Sequence, residues 1–137
     1  MKTKLPLSLC VLLITGCAQT SIQPLTQSSF KVATQAAPAC GQQGARDVAF
    51  KSAAMEVIKR GGDRFVIVGD QSGSRVTGGS FTGYGGFQTY SSNLQDMVVE
   101  IVKANDPRYS DSLSARQTLG ADWQEIVSKG QVQTCTS

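Results

Sequence analysis

The spacing of apolar positions along the chain predicts most of its elements. Residues 5–14 are largely apolar behind Lys2 and Lys4. Phe50, Ala54, Val57 and Ile58 then fall at i, i+4, i+7 and i+8, with Val48 and Met55 widening the stripe, which predicts a helix over Gly41–Arg60. Asp47 with Lys51, and Glu56 with Arg60, stand acid before base four residues apart on it, and Gly61-Gly62 offers a left-handed stop. Two β-branched and aromatic runs follow, Phe65–Val68 and Met97–Val102, which predict two strands of one sheet. The return between them, 69–93, is rich in Gly, Ser and Thr and holds no crossover helix, so antiparallel pairing is expected. After Asn105-Asp106-Pro107 a helical stretch starts at Ser114, breaks at Gly120 and restarts with Asp122 and Glu125 at capping-box spacing. Trp123, Ile126 and Val127 are expected to face the sheet, and Lys129-Gly130 to close the helix. The expected fold is α+β: a small antiparallel sheet with two packed helices.

The first apolar stretch is too short to cross a bilayer, which takes about 20 residues. Its basic start and short apolar run predict a secretory signal over 1–16. The end of that run, Leu13-Ile14-Thr15-Gly16-Cys17, resembles the bacterial lipobox. The resemblance implies a diacylglyceryl group on the Cys17 thiol, cleavage before it, and acylation of the freed amino group. The membrane is then a partner through Cys17, and Ala18 in place of Asp implies the outer membrane, lipid-anchored on its periplasmic face. From 17 to 38 the chain is mostly Gln, Thr, Ser, Ala and Pro, with few large apolar residues (Ile22, Leu25, Phe30, Val32). That composition predicts a lipidated Cys followed by a flexible, disordered tether, with the folded domain over 39–137.

Of four cysteines, Cys10 leaves with the signal and Cys17 carries lipid. Cys40 and Cys135 remain, and two thiols in an oxidising compartment are expected to pair. The bond would close a loop of about 95 residues, a contribution of about 4–5 kcal/mol in the chain-entropy model. The rival reading, a thiol redox protein, lacks a Cys-x-x-Cys motif, and there is no histidine to join the cysteines around zinc.

Composition narrows the function. At 137 residues there is room for one small domain. The absence of histidine removes every mechanism that needs imidazole. The net charge of +3 becomes +1 without Lys2 and Lys4, and the basic residues are scattered, which argues against nucleic acid. Ser128-Lys129 are adjacent on a helix, so their side chains diverge. Glu100, in an apolar strand, is the only candidate for a raised pKa, but an edge or solvent-facing position is the expected reading. Asp63-Arg64 read as turn charges, and Asp70 lacks the alternating oxygen ligands of a metal loop. No catalytic residue, metal or cofactor is expected. The odd segment is 69–93, where Phe81, Tyr84, Phe87 and Tyr90 recur every third residue. It reads either as a mobile hairpin tip or as a recognition surface, with those four aromatics as the candidate partner-binding residues for a glycan or protein.

The stretch Ala53-Ala54-Met55-Glu56-Val57-Ile58-Lys59-Arg60-Gly61-Gly62-Asp63-Arg64-Phe65-Val66-Ile67-Val68 resembles a block in small proteobacterial lipoproteins of unassigned function. There an Ala-Ala helix ends in Gly, an aromatic, Asp and an aliphatic strand; here Gly62 replaces the aromatic. Leu119-Gly120-Ala121-Asp122-Trp123 ahead of a terminal Cys is also similar. The resemblance supplies no catalytic residues. The expected function is a non-enzymatic envelope lipoprotein that binds a protein or peptidoglycan. The alternatives are an envelope-stress sensor or signalling lipoprotein and, third, the thiol redox protein.

Overall fold

The computed structural model describes residues 18–81, 83 and 85–132, without the side chains of Thr77 and Tyr90. The expected signal, Cys17, Tyr84 and Cys135 lie outside the described residues. The fold is α+β, a five-stranded antiparallel sheet with three helices: β1 (Ala18–Pro24), β2 (Ser29–Ala36), α1 (Gly41–Lys59), β3 (Arg64–Phe81), β4 (Phe87–Val102), β5 (Leu113–Ser114), α2 (Ala115–Leu119) and α3 (Trp123–Lys129). Strands lie in the order β1-β2-β4-β3-β5, all neighbours antiparallel.

The expected tether is corrected by this arrangement: from Ala18 onward the chain is sheet. Phe30, Val32, Thr34 and Ala36 are buried, while Lys31, Ala33 and Gln35 between them face outward. That alternation has the period of a strand with one buried face. β2 inserts between β1 and β4, with Phe30 opposite Val99 and Val32 opposite Met97. The polar residues that suggested a tether occupy the outward positions and the exposed edge strand β1. Thr26 ties the turn between them, its hydroxyl accepting from the backbone N–H of Ser28 (3.2 Å) and Ser29 (3.0 Å).

α1 lies where its spacing placed it. Ala45, Val48, Ala49, Ser52, Ala53, Ala54 and Val57 are its buried residues, spread over more than half its circumference. The sheet covers one side of the helix and α2 and α3 another. Phe50, Met55 and Ile58 of the expected stripe are only partly buried at its margin. The alanines let the helix sit close, and Phe30, Phe65, Met97 and Val99 fill the space between the layers. Gly61 takes a positive φ of 80°; its N–H donates to Ile58 O (2.9 Å) and that of Gly62 to Val57 O (2.9 Å), a Schellman stop. A Cβ on Gly62 would stand 2.7 Å from Ile101 Cγ2, so the helix end presses directly on β4. Glu56 pairs with Arg60 (2.7 Å) as expected, whereas Asp47 accepts from Gln43 Nε2 (3.1 Å) rather than from Lys51.

The C-terminal helical stretch comes in the two pieces expected, α2 and α3, separated at Gly120 with φ 92°. Asp122 is the N-cap of α3, but the capping box is not made: its side chain caps nothing, and Glu125 bonds Lys129 (2.5 Å). Trp123, Ile126 and Val127 pack on the margin of the core beside α1 and α2, not on the sheet as expected.

Because Phe30 is fully buried under α1, Phe30→Ala is expected to lower stability by about 3–5 kcal/mol. Urea unfolding reads this as a lower midpoint at unchanged slope; a residue in a tether would leave the midpoint where it was.

Candidate interaction surface: the hairpin arm

β3 and β4 pair from Arg64↔Val102 out to Phe81↔Phe87. β2 accompanies β4 only as far as Asn93, which stands opposite Ala36. There the chain turns: Pro38 opens a short 3-10 turn over Pro38–Cys40, and Asn93 Nδ2 closes the strand end on Ala37 O (3.2 Å). Beyond that level, Arg75–Phe81 and Phe87–Ser92 continue as a two-stranded arm about 20 Å long. Among the described residues no strand pairs with either outer edge of the arm. The expected loop over 69–93 is therefore mostly strand.

The base of the arm is built by an irregularity in β3. Up to Ile67, odd-numbered residues face the helix: Phe65 is opposite Ile101, and Ile67 opposite Val99. The register shifts between Ile67 and Gly69, and Asp70 then stands opposite Met97, on the helix side. An extra residue in one strand reverses its parity. Asp70 thereby meets Arg46 of α1 (2.6 Å) and Gln95 Nε2 of β4 (2.5 Å). Gln95 also donates to Gln71 O (3.1 Å), and Gln42 Nε2, at the start of α1, donates to Gly73 O (2.7 Å). Gln95 is fully buried and its Oε1 has no partner. This polar cluster pins the helix start to the point where the arm leaves the body.

At the tip, Phe81 and Phe87 face each other across the strands, ring centroids 5.0 Å apart at 60°. A Cβ on Gly79 would lie 2.4 Å from Phe87 Cζ, so the Phe87 ring occupies the space above that glycine. Both rings remain exposed, Phe81 at 82% and Phe87 at 58%, and Val76 on the same face at 63%. The structure thus brings together two of the four aromatics singled out by their spacing. The backbone of Tyr90 pairs with Gly78, and Tyr84 lies outside the described residues. A five-residue tip separates Phe81 from its cross-strand partner Phe87.

The sheet face turned away from α1 is a second open surface. Val66, Val98, Ala33 and Leu94 are half-buried there, Val68 is exposed, and Lys31 pairs with Asp96 (2.8 Å) across it. At its far end Glu100 is partly solvent-exposed, in line with the solvent-facing reading and not with a raised pKa. Arg108 hydrogen-bonds both its oxygens (3.1 and 3.2 Å) and holds its pKa below the usual carboxylate value. Arg108 also donates to Asp106, by side chain and backbone, and lowers that carboxyl from 3.8 to about 2. Asp63 pairs with Arg116 (3.1 Å), and Arg64 donates to Ser112 and lies over the Tyr109 ring (5.1 Å), so both fasten the segment after β4.

Cys40 sits half-buried immediately before α1. Among the described residues no three His, Cys, Asp or Glu side chains come together as metal ligands. No helix among them is long and apolar enough to cross a membrane. No family model matches the chain, and no curated protein or solved structure matches it either.

The Arg108 cluster gives a pH signature. Asp106 is held below its unfolded value, so its contribution to stability is complete above about pH 4 and is lost as pH falls through about 2. Carbon-detected NMR titration is expected to place Asp106 near 2 in the native protein and near its ordinary value in Arg108→Ala.

Proposed function

We propose that this chain is an outer-membrane lipoprotein, acylated on Cys17 and facing the periplasm, that acts by binding an envelope protein or peptidoglycan and not by catalysis. The observation that carries the reading is the pair of surfaces left open by an otherwise closed core. One is the aromatic-tipped arm; the other is the sheet face with Val68 at 55% exposure. Exposed apolar residues gathered on one element are the usual mark of an interaction site. The lack of histidine and the ion-paired Glu100–Arg108–Asp106 cluster support binding over chemistry.

The domain's fastening belongs to the same proposal. Cys40 pairs with Cys135 in this reading. Gln131, four residues before Cys135, lines one groove with Lys51, eleven residues along the chain from Cys40. Helix rise puts Cys40 about 16 Å along the axis from Lys51, a span comparable with the reach of four extended residues, about 14 Å. A bond there holds the C-terminal segment against the start of α1.

Two measurements test the proposal. Palmitate labelling is expected in the wild type and absent in Cys17→Ala; equal labelling refutes the anchor. A photocrosslinker at Val68 is expected to join the chain covalently to peptidoglycan or to one envelope protein in cells. Val98→Lys on the same face should reduce that adduct several-fold, and an unchanged yield would place binding elsewhere.

A further inference from the structure

β1 starts level with the foot of the arm. Ala18, the residue after Cys17, is the first of β1 and pairs with Ala36, which pairs with Asn93, which pairs with Ser74. That row is the level at which the arm leaves the body. β1 runs away from the arm, so the chain before Ala18 emerges at the same end of the sheet. Two strand spacings, about 10 Å, separate β1 from β4. With sheet starting at Ala18, there is no spacer between the acylation site and the domain.

We infer that the arm is a second membrane contact, laying the Phe81–Phe87 pair into the headgroup layer beside the acylated Cys17. The inference rests on the anchor proposed above. An anchor at this end brings the bilayer to the side from which the arm projects, and the tip reaches about 20 Å beyond the anchor's level. An arm standing upright would be driven into hydrocarbon. That is excluded, because its two outer edges carry backbone N–H and C=O groups with no partner strand, and each would cost several kcal/mol there. The domain therefore leans, and the arm rests obliquely with only its tip rings in the headgroup layer.

The composition of the arm fits that layer. Between Gln71 and Gln95 the only charged residue is Arg75, so no carboxylate faces the lipid phosphates. In the arm itself, residues 75–92, the apolar side chains Val76, Phe81 and Phe87 gather on one face, and apart from Arg75 the remainder are Gly, Ser, Thr and Gln with Tyr84 and Tyr90. Aromatic rings on a hydrogen-bonding backbone are the residues that settle at the membrane–water boundary. A lone two-stranded ribbon is marginal in water, and an interface that takes up its rings supplies the missing contact.

The test uses the full acylated chain carrying Phe87→Trp and Trp123→Phe, reconstituted in vesicles of phosphatidylethanolamine and phosphatidylglycerol. The indole introduced at position 87 is then the one fluorophore of its kind in the chain. Its emission is expected to shift to the blue, to be shielded from iodide several-fold relative to the detergent-solubilised chain, and to be quenched more by shallow than by deep lipid quenchers. Salt should change little, since the arm is nearly uncharged. Adding Phe81→Ser should restore iodide access while leaving the protein on the vesicles. An indole as open to iodide on vesicles as in detergent, with the acyl groups present by mass spectrometry, overturns the arm contact and leaves the anchor standing. Absence of the acyl groups overturns both. Shielding in native membranes but not in pure lipid makes the occupant a protein and likewise overturns the inference.

Discussion

β4 is hydrogen-bonded on both sides over Asn93–Glu100 and on one side only beyond it, and the rest of the molecule is arranged around that change. Where β2 and β3 flank it, the strand supplies Met97 and Val99 to the core and α1 covers them. Where β2 stops, the helix starts and the cover ends. The stop is local chemistry: Pro38 removes a donor from the extending strand and opens a turn, and the Ala37 carbonyl accepts from both the Cys40 N–H and Asn93 Nδ2. One level of the sheet therefore separates a packed body from an arm that has strand pairing but no layer against it.

The shift of register at Gly69 serves that same boundary. Strict alternation in β3 would have sent Asp70 to the open face and left Arg46 and Gln95 without their shared carboxylate. The extra residue instead gives a polar tie between α1, β3 and β4 at the foot of the arm, in which Gln95 is buried and Arg46 and Asp70 stay partly exposed. Buried polar groups cost stability unless satisfied, and one oxygen of Gln95 stays unsatisfied. The gain is position: the helix start, the arm and the first residue of β1 are held at one end of the sheet. For the anchor proposed at Cys17, that common end would make a leash into a constraint on orientation.

Much of the fold is legible in the chain. The stripe from Phe50 to Ile58, the stop at Gly61-Gly62 and the two aliphatic runs depend on local preference and period alone. The hairpin β1–β2 is legible in period but not in composition. Phe30, Val32, Thr34 and Ala36 alternate cleanly, yet threonine and alanine carry too little hydrophobicity to be recognised as core until Met97 and Val99 lie opposite the strand. Glu100 is legible only as far as its solvent-facing position: its neighbours in sequence are apolar, and the partner in space that sets its pKa is Arg108. At the arm, the aromatic spacing singles out Phe81 and Phe87 but not their contact, because pairing across a tip is a relation between two strands.

By itself the sequence determined what is local: a basic and apolar start ending in Gly-Cys, the main helix with its glycine stop, the β-branched runs, and a segment of glycine and aromatics unlike the rest. Only the tertiary structure decided what depends on residues far apart in the chain. It made β2 a central strand by giving it a partner, turned Asp70 inward through one extra residue, cancelled Glu100 with Arg108, and set Phe81 against Phe87 at the end of a ladder. It also placed Ala18 level with the foot of the arm. Local preference is read from neighbours in sequence, but burial, charge compensation and strand register are fixed by neighbours in space.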